Sequence, residues 1–301
     1  MDGPITVACV QAEPIVFDRD ATRDKLAALA AEAAATGAEL VVFPETFVSV
    51  YPSSAWAKAL AGWDDPGAKE AFAALVRSSV EVPGLASDRL GEIAREHSIW
   101  LVTGVNEIDP ARNGTVYNAL LYHAPDGSLA LKHRKLVPTH HERLFHAFGP
   151  GGDLGVADTP LGRVGGLICW ENRMPLARWA VYEQGPQIWL APTADDSDGW
   201  LATVRHIAIE AGAFVISVPQ YLPRSAFPAD FPADIGDADC LGRGGAAVID
   251  PMGTVIGGPL YDEEGMVVAD CDLRVGLRAK RWFDSVGHYS RPDLFPPAAD
   301  G

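Results

Sequence analysis

Cys169, Glu45 and Lys135 are residue types that together could carry nucleophilic chemistry, and each stands where an apolar run stops. Arg163–Ile168 is a short apolar run containing Gly165 and Gly166, which reads as a buried strand. Met174–Gln184 reads as a helix, with Pro175 near its first turn, where a missing N–H costs nothing. Cys169 therefore closes a strand just before a helix begins. Backbone N–H groups at such a turn would favour thiolate over thiol and would also stabilise a developing negative charge. A buried cysteine more often serves as a small hydrophobe. Here Glu171 and Arg173 follow at once, which an inert core position would not require.

A cysteine nucleophile needs a base. Histidine is the first candidate, and His133, His140, His141 and His146 form a cluster, but no Cys–His–Asn pattern of a papain-like kind is present. His140-His141-Glu142 also lacks the HExxH spacing of a zinc site. The other candidates lie at strand ends. Glu45 follows Val41-Val42-Phe43-Pro44, and Lys135 follows the run that ends near His133. Ligands tend to bind at strand ends of an α/β sheet, so three reactive groups placed this way make a coherent site. Taken singly, Glu45 reads as a cap and Lys135 as a solvated charge.

The elements around them alternate. Ile5–Gln11 is a β-rich run, Thr22–Thr36 an Ala-rich helix stopped by Gly37, and Glu39–Phe43 the next strand. Helices follow at Ser54–Leu60, at Ala68–Ser79 and, capped by Ser87, on to about His97. Ile99–Gly104 is a strand, and Thr115–His123 with Leu129–His133 reads as a hairpin around Pro125-Asp126-Gly127. A second hairpin, Val156–Thr159 with Arg163–Ile168, delivers Cys169. Gln187–Ala191 and Phe214–Pro219 are strands flanking a helix at Gly199–Ala211. Tyr221–Asp239 is a long Pro- and Asp-rich loop. Strands at Gly245–Asp250, Val255–Gly258 and Met266–Asp272, and a helix at Leu273–Arg281, close the chain. No repeat or linker divides it, so the whole of 1–301 is expected to be one layered α/β domain with a short tail from about 283.

The balance of 24 Lys and Arg against 40 Asp and Glu, a net charge of −16, argues against a nucleic-acid surface or an anionic membrane as partner. No apolar run is long enough to span a bilayer. Met1-Asp2-Gly3-Pro4 shows no secretory signal. Cys9, Cys169, Cys240 and Cys271 are scattered without CxxC spacing, which fits free thiols in a reducing cytoplasm.

Taken together, Phe43-Pro44-Glu45-Thr46-Phe47, His133-Arg134-Lys135-Leu136, Cys169-Trp170-Glu171-Asn172 and Gly287-His288-Tyr289-Ser290-Arg291-Pro292-Asp293 resemble the nitrilase superfamily in residues and in order. The resemblance covers nearly the whole chain. It implies a Glu45–Lys135–Cys169 triad, with Glu142 where the family has a second active-site glutamate. Cys-Trp-Glu-Asn, Ala191-Pro192-Thr193-Ala194-Asp195 and His206-Ile207-Ala208-Ile209-Glu210 are similar to plant-type and related bacterial nitrilases. The chain departs from them at Asp196 and at Ala213-Phe214, and it lacks the long tail many of them carry.

The implied fold is a four-layer α-β-β-α sandwich, and the implied reaction is hydrolysis of an organic nitrile to the acid and ammonia through a Cys169 thioimidate and thioester. Glu45 would act as base, Lys135 would stabilise the anionic intermediates, and Glu142 would orient Lys135 or a water, or else merely pair with Arg143 or Arg173. The Trp170 N–H would be a second donor to the developing anion, with Tyr51 and Thr193 as further substrate-binding candidates. Trp56, Trp63, Trp189, Trp200 and Phe227 are aromatic residues that could equally line a pocket or fill a core. No metal or other cofactor is implied. The helices at Met174–Gln184 and Gly199–Ala211 would pair two copies into a homodimer or larger assembly. An amidase or carbamoylase using the same triad and a non-catalytic partner-binding homologue stay open, as does, remotely, a cysteine hydrolase of another fold.

Overall fold

The computed structural model describes residues 3–295. Two seven-stranded mixed sheets carry the architecture. In the first, the order runs Gly265–Cys271, Ile5–Gln11, Leu40–Val42, Trp100–Ile108, Val116–His123 and Leu129–Arg134, with Val80–Glu81 beside Trp100–Ile108. In the second it runs Tyr221–Pro223, Cys240–Ile249, Phe214–Pro219, Ile188–Thr193, Gly162–Gly166 and Val156–Thr159, with Val255–Tyr261 on Cys240–Ile249. Each sheet has a parallel centre, formed by Ile5–Gln11, Leu40–Val42 and Trp100–Ile108 in one and by Gly162–Gly166, Ile188–Thr193 and Phe214–Pro219 in the other.

The period of two along the central strands sorts their side chains into layers. Val7, Cys9, Leu40, Val42 and Val102 point inward and meet Val164, Ile188, Leu190, Ile216 and Val248 of the other sheet in one apolar layer. Their neighbours Ala8, Val10, Val41 and Leu101 point outward and bury Leu26, Ala30, Leu90 and Ile93 of the helices Arg19–Ala35 and Leu85–His97. Leu167, Trp189, Ala191 and Val215 likewise cover Val181, Val204 and Ala208 of the helices Pro175–Tyr182 and Asp198–Ala211. The result is the expected four-layer sandwich, two sheets face to face between two layers of helices.

Several local expectations shift. Gly84, not Ser87, precedes the helix Leu85–His97, and the Ser87 hydroxyl donates back to the Gly84 carbonyl. The strand at Trp100–Ile108 runs well past Gly104, because pairing with Val116–His123 continues to Ile108. Val80–Glu81 forms a short strand where only a helix end was legible. The Tyr221–Asp239 segment is not wholly loop. Tyr221–Pro223 pairs with Cys240–Arg243, and Phe227 and Phe231 then pack with Trp56 and Phe17 in a separate apolar cluster. From Phe283 to Phe295 the chain makes turns without a regular element; 296–301, the end of the expected tail, and Met1-Asp2 lie outside the described residues.

Candidate active site

Glu45 lies just beyond Leu40–Val42, Cys169 just beyond Gly162–Gly166, and Lys135 immediately after Leu129–Arg134. The first and third hang from one sheet and the second from the other, and all three are at most 2% exposed. A rigid strand end fixes each backbone, so little is left to loop motion.

Glu45 accepts the Lys135 ammonium at 2.7 Å and the Asn118 side-chain amide at 2.7 Å, both on Oε1. Its Oε2 is buried and takes no hydrogen bond. Burial raises its pKa to about 6, against the lowering pull of Lys135, so the carboxylate is a proton acceptor tuned close to neutrality. Lys135 also donates to both oxygens of Glu142, at 2.8 Å each. Burial disfavours its charge, but Glu45 and Glu142 outweigh that and hold it protonated well above the ordinary lysine range. Glu142 in turn accepts the Tyr51 hydroxyl at 2.6 Å, and Lys135, aided by His146, holds it ionised despite its burial. Glu142 is thus a partner of Lys135. Arg143 donates instead to the Pro138 carbonyl, and Arg173 pairs with Asp195.

Cys169 sits at φ +50°, in the left-handed region, where the chain turns from strand to the 3₁₀ segment Cys169–Arg173. The Thr193 hydroxyl lies 3.1 Å from Sγ. The expectation of a turn that favours thiolate is overturned here. Burial and then the negative charge of Glu45 push the thiol up, beyond what Lys135 and Thr193 offset. The raised pKa favours the thiol over the thiolate at rest.

The residues after Cys169 clamp the turn. Asn172 donates to the carbonyls of Leu167 (2.7 Å) and Cys169 (2.9 Å) and accepts the Trp189 indole N–H at 2.8 Å. Glu171 accepts the Ile168 N–H at 2.8 Å and the Leu136 N–H at 2.6 Å, the residues adjoining Cys169 and Lys135. His133 lies between Glu171 and Asp153, which outweigh its burial and raise its pKa to about 9. Trp170 follows Cys169 in the 3₁₀ segment. Its indole bonds Asp195 at 2.8 Å at the mouth of the site, under the Arg173 guanidinium.

Above Cys169 opens a cavity of about 580 Å³, lined by Tyr51, His141, Trp170, Asp195, Gln220 and Leu222 among others. Of the aromatic candidates, only Tyr51 reaches it. Trp56, Trp189, Trp200 and Phe227 are buried in apolar clusters, and Trp63 is 91% exposed. Among the described residues, no group of three His, Cys, Asp or Glu side chains is placed to hold a metal ion.

Sequence reasoning missed Asn118, the link that His133 makes between Glu171 and Asp153, and two glycines. Asn118 was visible as a lone amide in the apolar run Val116–His123, which must find a partner once buried. A Cβ on Gly104 would collide with the Pro44 carbonyl and Glu45 Cα, and one on Gly149 with the Arg134 and Lys135 carbonyls. No local pattern announces that kind of long-range approach.

The sequence matches the family described as Carbon-nitrogen hydrolase over residues 6–280. It is 45% identical to an aliphatic nitrilase of Sinorhizobium fredii over 97% of this chain and 94% of that protein. It is 42% identical to a bifunctional nitrilase/nitrile hydratase of Nicotiana tabacum, over 96% of this chain and 84% of the relative. In fold it is similar to a carbon-nitrogen hydrolase from Helicobacter pylori, with a TM-score of 0.74 at 20% identity and 97% of each chain covered.

Proposed function

The chain belongs to the carbon-nitrogen hydrolase family, and on that premise we propose that it is a nitrilase, converting an organic nitrile to the carboxylic acid and ammonia. The observation that carries the chemistry is the unpaired Oε2 of Glu45, on a carboxylate whose other oxygen is held by Lys135, in the same buried cluster as the Cys169 thiol. Identity of 45% to an aliphatic nitrilase favours C≡N over C(=O)–N as the bond attacked.

Glu45 takes the Cys169 proton as sulfur attacks the nitrile carbon, and the nitrogen receives a proton, giving a thioimidate. A water deprotonated by Glu45 then adds to that carbon. The nitrogen is protonated and leaves as ammonia, giving a thioester, and a second water releases the acid and restores the thiol. Lys135 and the Trp170 N–H face the charge that develops in each tetrahedral intermediate, and Glu142 and Thr193 hold Lys135 and Sγ in place. We read the whole of 1–301 as one domain serving this site.

Two copies would pair through the helices Pro175–Tyr182 and Asp198–Ala211, which within each copy are joined to one another by the Arg178–Glu210 ion pair at 3.1 Å. Leu176 (84% exposed) and Ile209 (45%) on those helices support a homodimer, and light scattering giving monomer mass at micromolar protein would refute it. Among the described residues no helix is long and apolar enough to cross a membrane, and four free thiols support the cytoplasm as location.

The decisive experiment is chromatography of acid and amide products, with ammonia release, over a panel of nitriles and their amides. Nitrile turnover to acid, with amide a minor product, is expected. Hydrolysis of amides or carbamoyl compounds with every nitrile untouched would put an amidase in its place.

A further inference from the structure

Gln220 follows the strand Phe214–Pro219, and its backbone N–H bonds the carbonyl of Thr193, the residue whose hydroxyl holds Sγ of Cys169. Its side chain is 3% exposed and lines the same cavity as Cys169. Both its Oε1 and its Nε2 are buried without a hydrogen-bond partner. Such a carboxamide is costly against hydrocarbon, because a donor and an acceptor both go unmatched. His141 lines the cavity too, and its buried Nε2 also has no partner.

Charge narrows what could match them. Around and beneath the cavity stand the carboxylates of Glu45, Glu142, Asp195 and Asp196, against the cations of Lys135 and Arg173. A carboxylate on the substrate would enter a surplus of negative charge. An uncharged group that both donates and accepts would not, and it complements Gln220 on both counts.

We propose that Gln220 is a specificity-determining residue, and that the substrates best suited to this site are nitriles carrying a hydroxyl or carboxamide a short chain from the nitrile carbon, rather than hydrocarbon or anionic nitriles. This rests on the nitrilase reading and names its substrate class. A site built to hydrogen-bond a substrate group rejects the analogue lacking it, because its own buried polar atoms are then left unpaired.

The test uses the full chain and matched sets of nitriles at several chain lengths, ending in CH₃, OH, CONH₂ or carboxylate. It is run in parallel on the corresponding amides. For wild type, kcat/KM for the hydroxyl member is expected to exceed that of its methyl isostere by roughly 10- to 100-fold, with the carboxylate member poorest. Gln220→Met should bring the hydroxyl-to-methyl ratio towards parity. Should that variant fail to fold, Gln220→Asn, which keeps the amide but shortens its reach, should shift the preferred chain length instead. Equal rates for methyl and hydroxyl members in wild type, or a ratio untouched by either variant, overturns the proposal. If nitriles are inert and amides react, the nitrilase reading fails, and the amide series still reports the hydroxyl-to-methyl ratio. If neither series turns over, protection of Cys169 from iodoacetamide by each nitrile reports the same preference, and equal protection overturns it.

Discussion

The imidazole Nε2 of His133 lies 3.1 Å from Oε2 of Glu171. Through that contact the strand that delivers Lys135 is fastened to the turn that carries Cys169, since Glu171 also takes the N–H groups of Leu136 and Ile168. Lys135 and Cys169 hang from different sheets, so this is a stitch across the sandwich at the level of the chemistry.

His133 should therefore set an alkaline limit. Its folded pKa, raised by Asp153 and Glu171 to about 9, lies above the unfolded value near 6.5, so its contribution to stability is complete below about 6.5 and is lost as pH rises through about 9. Thermal melts are expected to step down steadily between about pH 6.5 and 9 and to level off above 9. His133→Gln, which cannot titrate, should flatten that step.

On the proposed mechanism, Glu45 should set the acid limit. A base whose pKa is raised to about 6 is ionised above that pH and idle below it, so kcat/KM should fall about tenfold per unit as pH drops below 6. Glu45→Gln should lower turnover by roughly 10² to 10⁴ for each of its two roles, with the proton of Cys169 and with water. It should also slow iodoacetamide labelling of Cys169, because the thiol has lost its proton acceptor. Labelling as fast as in wild type would show that sulfur is deprotonated without Glu45. Cys169→Ala should abolish turnover.

Glu142→Gln removes one of the two buried anions that hold Lys135 charged. Breaking a buried pair on one side costs roughly 3–5 kcal/mol. A fall in both melting temperature and kcat is expected, with less effect on KM, whereas Arg143→Ala, outside this network, should leave all three near wild type.

Gly104→Ala tests how the general base is placed. Its methyl would press on the Pro44 carbonyl and Glu45 Cα, so kcat should drop out of proportion to any fall in thermal stability. A variant with unchanged kcat would mean that the Glu45 turn has room to shift.

The layers, and the placement of Glu45, Lys135 and Cys169 at strand ends, were legible because each rests on a local signal: alternation along strands, helical spacing, and polar residues where apolar runs end. The longer Trp100–Ile108 strand and the short Val80–Glu81 strand depend on a neighbour's register, which no window of sequence contains. The state of Cys169 was misread for a related reason. Its turn does present backbone N–H groups, but the thiol pKa is decided by burial and by Glu45, which arrives from the other sheet. Trp170-Glu171-Asn172 was legible as a signature of kinship. That Asn172 and Glu171 hold the turn by seven hydrogen bonds to backbone and side-chain groups could only be seen once Leu136, His133 and Trp189 were beside them.

Since Glu45 hangs from one sheet and Cys169 from the other, the thickness of the apolar layer between them is also a chemical distance. Val42, Leu190 and Ile216 fill the apolar layer between the sheets, so on the proposed mechanism their volumes set how far base and nucleophile stand apart. Trimming one, as in Leu190→Ala, would cost roughly 2–5 kcal/mol if the sheets hold their spacing. If they settle inward instead, the hollow closes and the misfit is passed to the proton transfer. Hydrocarbon packing in this molecule acts as the gauge block against which the catalytic gap is ground.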